Sequence, residues 1–228
     1  LRSGSGVFEV RVLDNDTAGV VTQQVGDIVL VRDDRATKIP IHTGFDQDAR
    51  AVWTDAQPYL KKGYQTYIVG HSLGGAVAAI LGIYMIEDGY KVDKIYTYGQ
   101  PRFTTTQGVA KLGFLPVLRV VDENDLVPLL PPGDYGDKQY GRYQQVGPEV
   151  ILLSGPDYVY MPNRQASELS LGAFWRGLHV ADLKDHKLDN YIRRIEDKIA
   201  TSHQVPYDER ENYIAKKKAV ATLPPPRQ

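Results

Sequence analysis

Ser72 is where this chain has the residue types and the spacing for chemistry. It lies in Gly70-His71-Ser72-Leu73-Gly74, after the apolar run Tyr67-Ile68-Val69 and before Gly75-Ala76-Val77-Ala78-Ala79-Ile80. The order is strand, glycine-flanked serine, helix. A serine on such a tight turn presents its oxygen outward. The turn forces the serine into a crowded backbone conformation, and glycine two residues to either side removes the Cβ atoms that would clash. A helix that starts at the serine also brings unpaired N–H groups and the positive end of its dipole to the place where negative charge would develop. The chemistry implied is nucleophilic attack by a hydroxyl.

A hydroxyl is a weak nucleophile at neutral pH and needs a general base, for which histidine has the right pKa and two usable nitrogens. The chain has five histidines. His71 adjoins the serine and is expected to point away from it. His42 precedes the strand–turn–helix unit, and His203 lies in a charged tail. His179 and His186 come after the last strand region, where the chain order serine, acid, histidine places the base. His186 sits in the polar loop Lys184-Asp185-His186-Lys187, whereas His179, between Leu178 and Val180, resembles a packed histidine. His186 is therefore favoured. The acid must lie at a strand end between them. Asp122 and Asp125 both qualify, beyond the strand Val117 to Val121, with Glu123 less suited. The residues alone do not separate the two aspartates, and the one not used reads as a solvated turn carboxylate.

The elements that must position these groups alternate. Val7 to Leu13 and Asp27 to Val31 read as two strands of an irregular hairpin around the turn Asp14 to Gly19. Asp46 is a sensible N-cap for a helix carrying Ala49, Val52, Trp53, Ala56 and Leu60 on one face, which Pro58 should kink or shorten. Tyr64 to Val69 is a strand and Ala76 to Ile86 a buried helix ended by Gly89. Lys94 to Gly99 and Val117 to Val121 are further strands, separated by a helix around Gln107 to Lys111. Alternation of this kind predicts right-handed βαβ units and a parallel sheet. Tyr143 to Val146 and Glu149 to Leu153 read as a closing hairpin around Gly147-Pro148. Asp185 is placed to cap a last helix, Lys187 to Ile199, with Leu188, Tyr191, Ile192, Ile195 and Ile199 on one face.

The bulk numbers narrow the class. A chain of 228 residues with 42% hydrophobic and 24% charged residues fits one globular domain, residues 1–228. Residues 1–38 form an atypical N-terminal segment and residues 205–228 an extended tail. A net charge of -1 gives no bulk attraction to nucleic acid or to an anionic membrane. The absence of cysteine excludes disulfides, thiolate catalysis and cysteine-ligated zinc. The longest apolar run, Ala76 to Ile86, is too short to span a bilayer, and no stretch reads as a secretion signal.

Several ordered motifs then resemble one family. They are His42-Thr43-Gly44-Phe45, Gly70 to Gly75, Tyr98-Gly99-Gln100-Pro101-Arg102, and Val120-Val121-Asp122-Glu123-Asn124-Asp125-Leu126-Val127-Pro128, with Asp185-His186 followed by Tyr191. Together, over about residues 40 to 195, they resemble the class 3 (fungal-type) triacylglycerol lipases of the α/β-hydrolase superfamily. The resemblance implies an α/β-hydrolase fold, a mostly parallel central sheet flanked by helices, with Gly70 to Gly74 as its nucleophile elbow. It implies Ser72 as nucleophile, His186 as base, Asp125 as acid and the Leu73 backbone N–H as one oxyanion-hole donor. It implies ester hydrolysis without cofactor or metal, on acylglycerols or other lipid esters at an oil–water interface, and it leans towards a secreted protein. A phospholipase A1, a galactolipase or a feruloyl-type esterase would share these motifs.

One departure stands out. The family's Arg-Gly-Ser/Thr loop, which supplies the second oxyanion donor, has no counterpart before His42. Ser3, in Leu1-Arg2-Ser3-Gly4-Ser5, is the nearest candidate. A missing donor would cost about two to three orders of magnitude in rate, and a lipase-like scaffold that binds without turnover is the reading that this gap favours. Leu13 to Val31 and Gly155 to Leu171 are the two candidates for a lid.

Overall fold

A computed structural model describes residues 11–12, 31–33, 37–133, 139–162 and 185–213. Its main sheet is built from β1 (Arg11–Val12), β4 (Gln65–His71), β5 (Lys91–Tyr98), β7 (Val117–Asp122), β9 (Glu149–Leu152), β10 (Asp157–Met161) and β11 (His203–Gln204). They lie in the order β1-β4-β5-β7-β9-β10-β11. The first five run parallel; β10 is antiparallel to β9, and β11 is parallel to β10. A small antiparallel sheet combines β2 (Val31–Asp33), β3 (Pro40–His42), β6 (Thr104–Thr105) and β8 (Tyr143–Gln144) in the order β2-β3-β6-β8. The helices are α1 (Thr43–Ala56), α2 (Leu73–Glu87), α3 (Thr106–Lys111) and α4 (Leu188–Ile199).

The elbow helix α2 is buried on every side between Gly74 and Met85, as its uninterrupted apolar composition requires. It packs on β4 and β5 beneath it and on α1 outside. Gly82 lets it approach the sheet, since a Cβ there would stand 2.3 Å from Ile95 Cδ1. Ile68, Ile80, Ile83 and Ile95 are all at most 1% exposed, and burying an aliphatic side chain of this size stabilises by about 1.5–3 kcal/mol. A second cluster, Ile151, Leu153, Val159, Met161 and Val205, fills the far end of the sheet.

Several expectations are corrected. The described parts of the two N-terminal strands do not pair with each other. Arg11–Val12 adds to the edge of the main sheet beside β4, and Val31–Asp33 joins the small sheet. The hairpin around Gly147-Pro148 does not form either. β8 pairs with β6 in the small sheet, while β9 pairs with β7 and turns back through Gly155 into β10. Gly147, at φ +79°, redirects the chain there, and a Cβ on it would fall 2.5 Å from Val117 Cγ1. Because residues 157–161 are a sheet strand, that part of the second lid candidate is not a lid. Helix α1 starts four residues earlier than an Asp46 cap would place it, with His42 before its first residue. Asp46 instead accepts hydrogen bonds from Arg50 and the Tyr84 hydroxyl. Pro58 does end α1 as expected, in a short 3-10 helix, Gln57–Tyr59. Lys187, not Asp185, is the residue before α4, and it makes no capping bond through its side chain. Ile192 and Ile199 are 47% and 77% exposed, so the face of α4 turned inward is Asn190 and Tyr191. Residues 205–213 of the expected tail pack against the body through Val205, Tyr207 and Tyr213, and residues 207–213 form a 3-10 helix.

Candidate active site

β4 ends at His71 and α2 begins at Leu73, so Ser72 makes the whole turn. Its backbone takes φ 57° and ψ -133°, a region costly for any residue with a Cβ. The neighbours over-determine it. Ser72 N–H donates to Tyr98 O at 2.9 Å, and Gly75 N–H to Ser72 O at 2.8 Å. At Gly70 a Cβ would lie 2.1 Å from Gly74 O, so the glycine spacing seen in the sequence is a steric requirement. Ser72 is 1% exposed.

Residues 114 positions apart meet at this turn. His186 Nε2 lies 2.7 Å from Ser72 Oγ, and His186 Nδ1 lies 2.8 Å from Asp125 Oδ2. A carboxylate only accepts, so Nδ1 carries the proton and Nε2 is free to accept from the serine. Asp125 is 3% exposed and His186 1%. Asp125 accepts two further bonds: Oδ1 accepts Val127 N–H at 2.9 Å, and Oδ2 also accepts the Tyr191 hydroxyl at 2.6 Å. Gly99, at φ +58°, closes the arrangement from β5. A Cβ there would stand 2.8 Å from Asp125 Oδ2 and 3.0 Å from the His186 ring. The Leu73 N–H is the first of α2, and first-turn N–H groups have no partner within their helix.

Asp122 is not a solvated turn carboxylate. It is fully buried. Its Oδ1 accepts Asn124 N–H and its Oδ2 accepts Asn190 Nδ2, both at 2.9 Å, and Arg194 forms an ion pair with it at 2.7 Å. Burial still pushes its carboxyl above the usual range, against the opposing pull of Asn124 N–H and Arg194. Tyr191 joins the two aspartates, for its oxygen accepts Asp122 N–H at 3.1 Å while donating to Asp125. Burial, then the Asp125 charge, raises the phenol well above its ordinary value, so it stays a donor. Tyr191 was legible as part of an apolar helix face; its hydroxyl was not.

His71 meets His186 rather than the serine. Its ring stacks on His186 with centroids 4.8 Å apart, and its Nε2 donates to His186 O at 2.7 Å. Burial, then the His186 charge, lowers its pKa. His203 lies at the far edge of the sheet beside Asp157, and His42 packs on Phe45 in the small sheet. His179 and Ser3 fall outside the described residues. So does most of Leu13 to Val31.

A cavity of about 270 Å³ adjoins the loop of the two aspartates, lined by Asp122, Asp125, Arg102, Arg119, Glu149 and Arg210 among others. Neither Ser72 nor His186 faces it, so it is not where an acyl group would meet the serine. Among the described residues no cluster of histidine and carboxylate side chains could hold a metal ion, and no helix is long and apolar enough to cross a membrane.

Comparison with known proteins follows the same residues. The chain matches the family model "Lipase (class 3)" over residues 15–135, more than half its length, a stretch that holds Ser72 and Asp125 and stops short of His186. It is 33% identical over 134 residues to a secreted mono- and diacylglycerol lipase 1 of Fusarium solani, covering 51% of this chain and 35% of that protein. It is 40% identical over 104 residues to a lipase of Rhizomucor miehei, covering 41% of this chain and 28% of that one. The chain thus spans about a third of the length of these curated relatives. The crystal structure of a lipase from Rhizopus microsporus var. chinensis superposes with a TM-score of 0.59 over 78% of this chain and 64% of that chain, at 21% identity. The parallel sheet, the strained elbow and the family match agree: the chain belongs to the class 3 lipase family and has the α/β-hydrolase fold.

Proposed function

We propose that this protein hydrolyses carboxylic esters of acylglycerols through a Ser72–His186–Asp125 triad. The observation that carries the reading is the continuous hydrogen-bonded line from Ser72 Oγ through both nitrogens of His186 to Asp125, at 2.7 and 2.8 Å. In the first step Ser72 Oγ attacks the ester carbonyl while His186 Nε2 takes its proton. Asp125 holds the imidazole in the required tautomer and stabilises the imidazolium. The Leu73 N–H, at the positive end of α2, donates to the oxyanion. His186 then gives its proton to the departing alcohol, leaving an acyl-serine. Water deprotonated by His186 attacks that ester and restores Ser72.

The substrate class rests on the relatives, which include a secreted mono- and diacylglycerol lipase and a fungal lipase. The first of these, a secreted lipase, also supports secretion, and both names support a lipid ester as the substrate. The experiment is hydrolysis of p-nitrophenyl esters of rising chain length, and of emulsified mono-, di- and triacylglycerol, by wild type and Ser72→Ala. The variant should lose on the order of 10⁴- to 10⁶-fold in kcat and should no longer be labelled by a fluorophosphonate. Persistent hydrolysis by purified Ser72→Ala would sink the assignment. Preference for short soluble esters, with no gain at an interface, would replace the acylglycerol with an esterase substrate.

A further inference from the structure

His71 is a second imidazole beside the base with no part in the steps above. It occupies the position before Ser72, at the last residue of β4. Its side chain does three things at once. Its ring lies on the His186 ring, centroids 4.8 Å apart and 29° from parallel. Its Nε2 donates to the His186 carbonyl at 2.7 Å. Its edge meets the ring of Tyr191, which holds Asp125, at 5.8 Å. The need for such a support follows from the chain. His186 stands on the two-residue approach to α4, so its backbone is not fixed by the helix ladder. The carbonyl of a base on such a connector would swing, and the imidazole with it. The bond from His71 ties that carbonyl to the same strand end that carries the nucleophile.

We infer that His71 is a positioning residue, which couples the base to the nucleophile's own strand by holding the backbone and one ring face of His186. The inference rests on the ester-hydrolase reading for its kinetic arm alone. The role requires a neutral His71. A neutral ring can lie against His186 when it becomes the imidazolium, whereas a protonated one would set two cations face to face. The groups facing His71 are the His186 imidazole, the Tyr191 ring and, beyond His186, the Asp125 carboxylate. Burial and the His186 charge favour the neutral form.

Three variants divide the role. His71→Gln keeps an N–H donor and removes the ring; His71→Phe keeps a ring and removes the donor; His71→Ala removes both. In each single-function variant kcat should fall about tenfold, the worth of one hydrogen bond or ring contact, and in His71→Ala about 100-fold, as for a misplaced base. KM should hold within about twofold, since His71 touches no substrate atom. The acid limb of kcat/KM, which reports the base, should move to higher pH in His71→Gln and His71→Ala, because water then reaches the exposed imidazolium face. Proton NMR reads the geometry without turnover. The downfield resonance of the proton between His186 Nδ1 and Asp125 should persist in wild type and broaden or vanish in His71→Ala. If His71→Ala does not fold, the same resonance in the Gln and Phe variants decides. Folded variants with wild-type kcat, acid limb and resonance overturn the inference, and so does a lower kcat with limb and resonance unmoved. Should Ser72→Ala retain hydrolysis, the ester-hydrolase reading falls while the NMR arm still judges His71.

Discussion

Asp122 and Asp125 stand three residues apart on one loop, yet they serve different parts of the molecule. Asp125 meets His186 and Tyr191 and faces the serine. Asp122 meets Asn190 and Arg194 and fastens the base's helix to the end of β7. Both are buried and both accept several hydrogen bonds, so neither exposure nor partner number tells them apart. What differs is which residue of the 185–194 segment each one reaches. One carboxylate holds the His186 ring; its neighbour holds the helix that follows His186. Tyr191 spans the gap between them.

Substitutions sharpen that division, beginning with the strongest. Asp125→Asn should cost about 10⁴-fold in kcat by favouring the wrong imidazole tautomer, with little change in thermal stability. Esterase assays and melting curves on the same preparation would show both, and a loss under tenfold would break the comparison. Asp122→Asn should do the reverse. It leaves Arg194 facing an amide, and breaking one partner of a buried pair costs about 3 kcal/mol when the other retains some water. Arg194 keeps 12% exposure, which places it at that lower end. Denaturant unfolding should register the loss, while the folded fraction keeps kcat within about tenfold, the effect of a small shift of the base. Tyr191→Phe touches both sides. It leaves the buried Asp122 N–H without its acceptor and removes one donor from Asp125, each at about 1–3 kcal/mol. Stability and kcat should fall together, and a change in one alone would show that Tyr191 belongs to one aspartate.

The smallest effect is on pH dependence. The Asp122 carboxyl titrates higher folded than unfolded, so between those two values the native state binds the proton more tightly. Stability therefore falls as pH rises across that window, and above it this unfavourable contribution is complete. Asp122→Asn should flatten that part of the unfolding profile. An unchanged slope would assign the pH dependence to another group, such as Glu123, whose carboxyl burial also raises.

How much was legible beforehand depends on distance along the chain. The elbow was legible because its constraints are local. Gly70, Ser72 and Gly74 lie within one turn, and the steric conflict that demands glycine acts over those five residues. β5, β7 and α2 were legible through their apolar runs. The hairpin read around Gly147-Pro148 failed because pairing partners of β8 and β9 are chosen by the sheets on either side, not by the turn between them. The Asp46 and Asp185 caps failed for a related reason. Each side chain was assigned to its nearest helix end, while in the fold Asp46 binds Tyr84, 38 residues away.

The sequence by itself determined that a serine would be strained at the start of a buried helix, because backbone crowding is settled by adjacent residues. It also narrowed the base and acid to a few candidates by their order along the chain. The resemblance pointed to Asp125, but only the tertiary structure showed that Asp125 and not Asp122 bonds the His186 ring, turned His71 back onto His186, and put the hydroxyl of Tyr191 between two carboxylates. Those choices depend on the angle at which α4 docks on the end of β7, and that angle is fixed by packing between segments more than 60 residues apart.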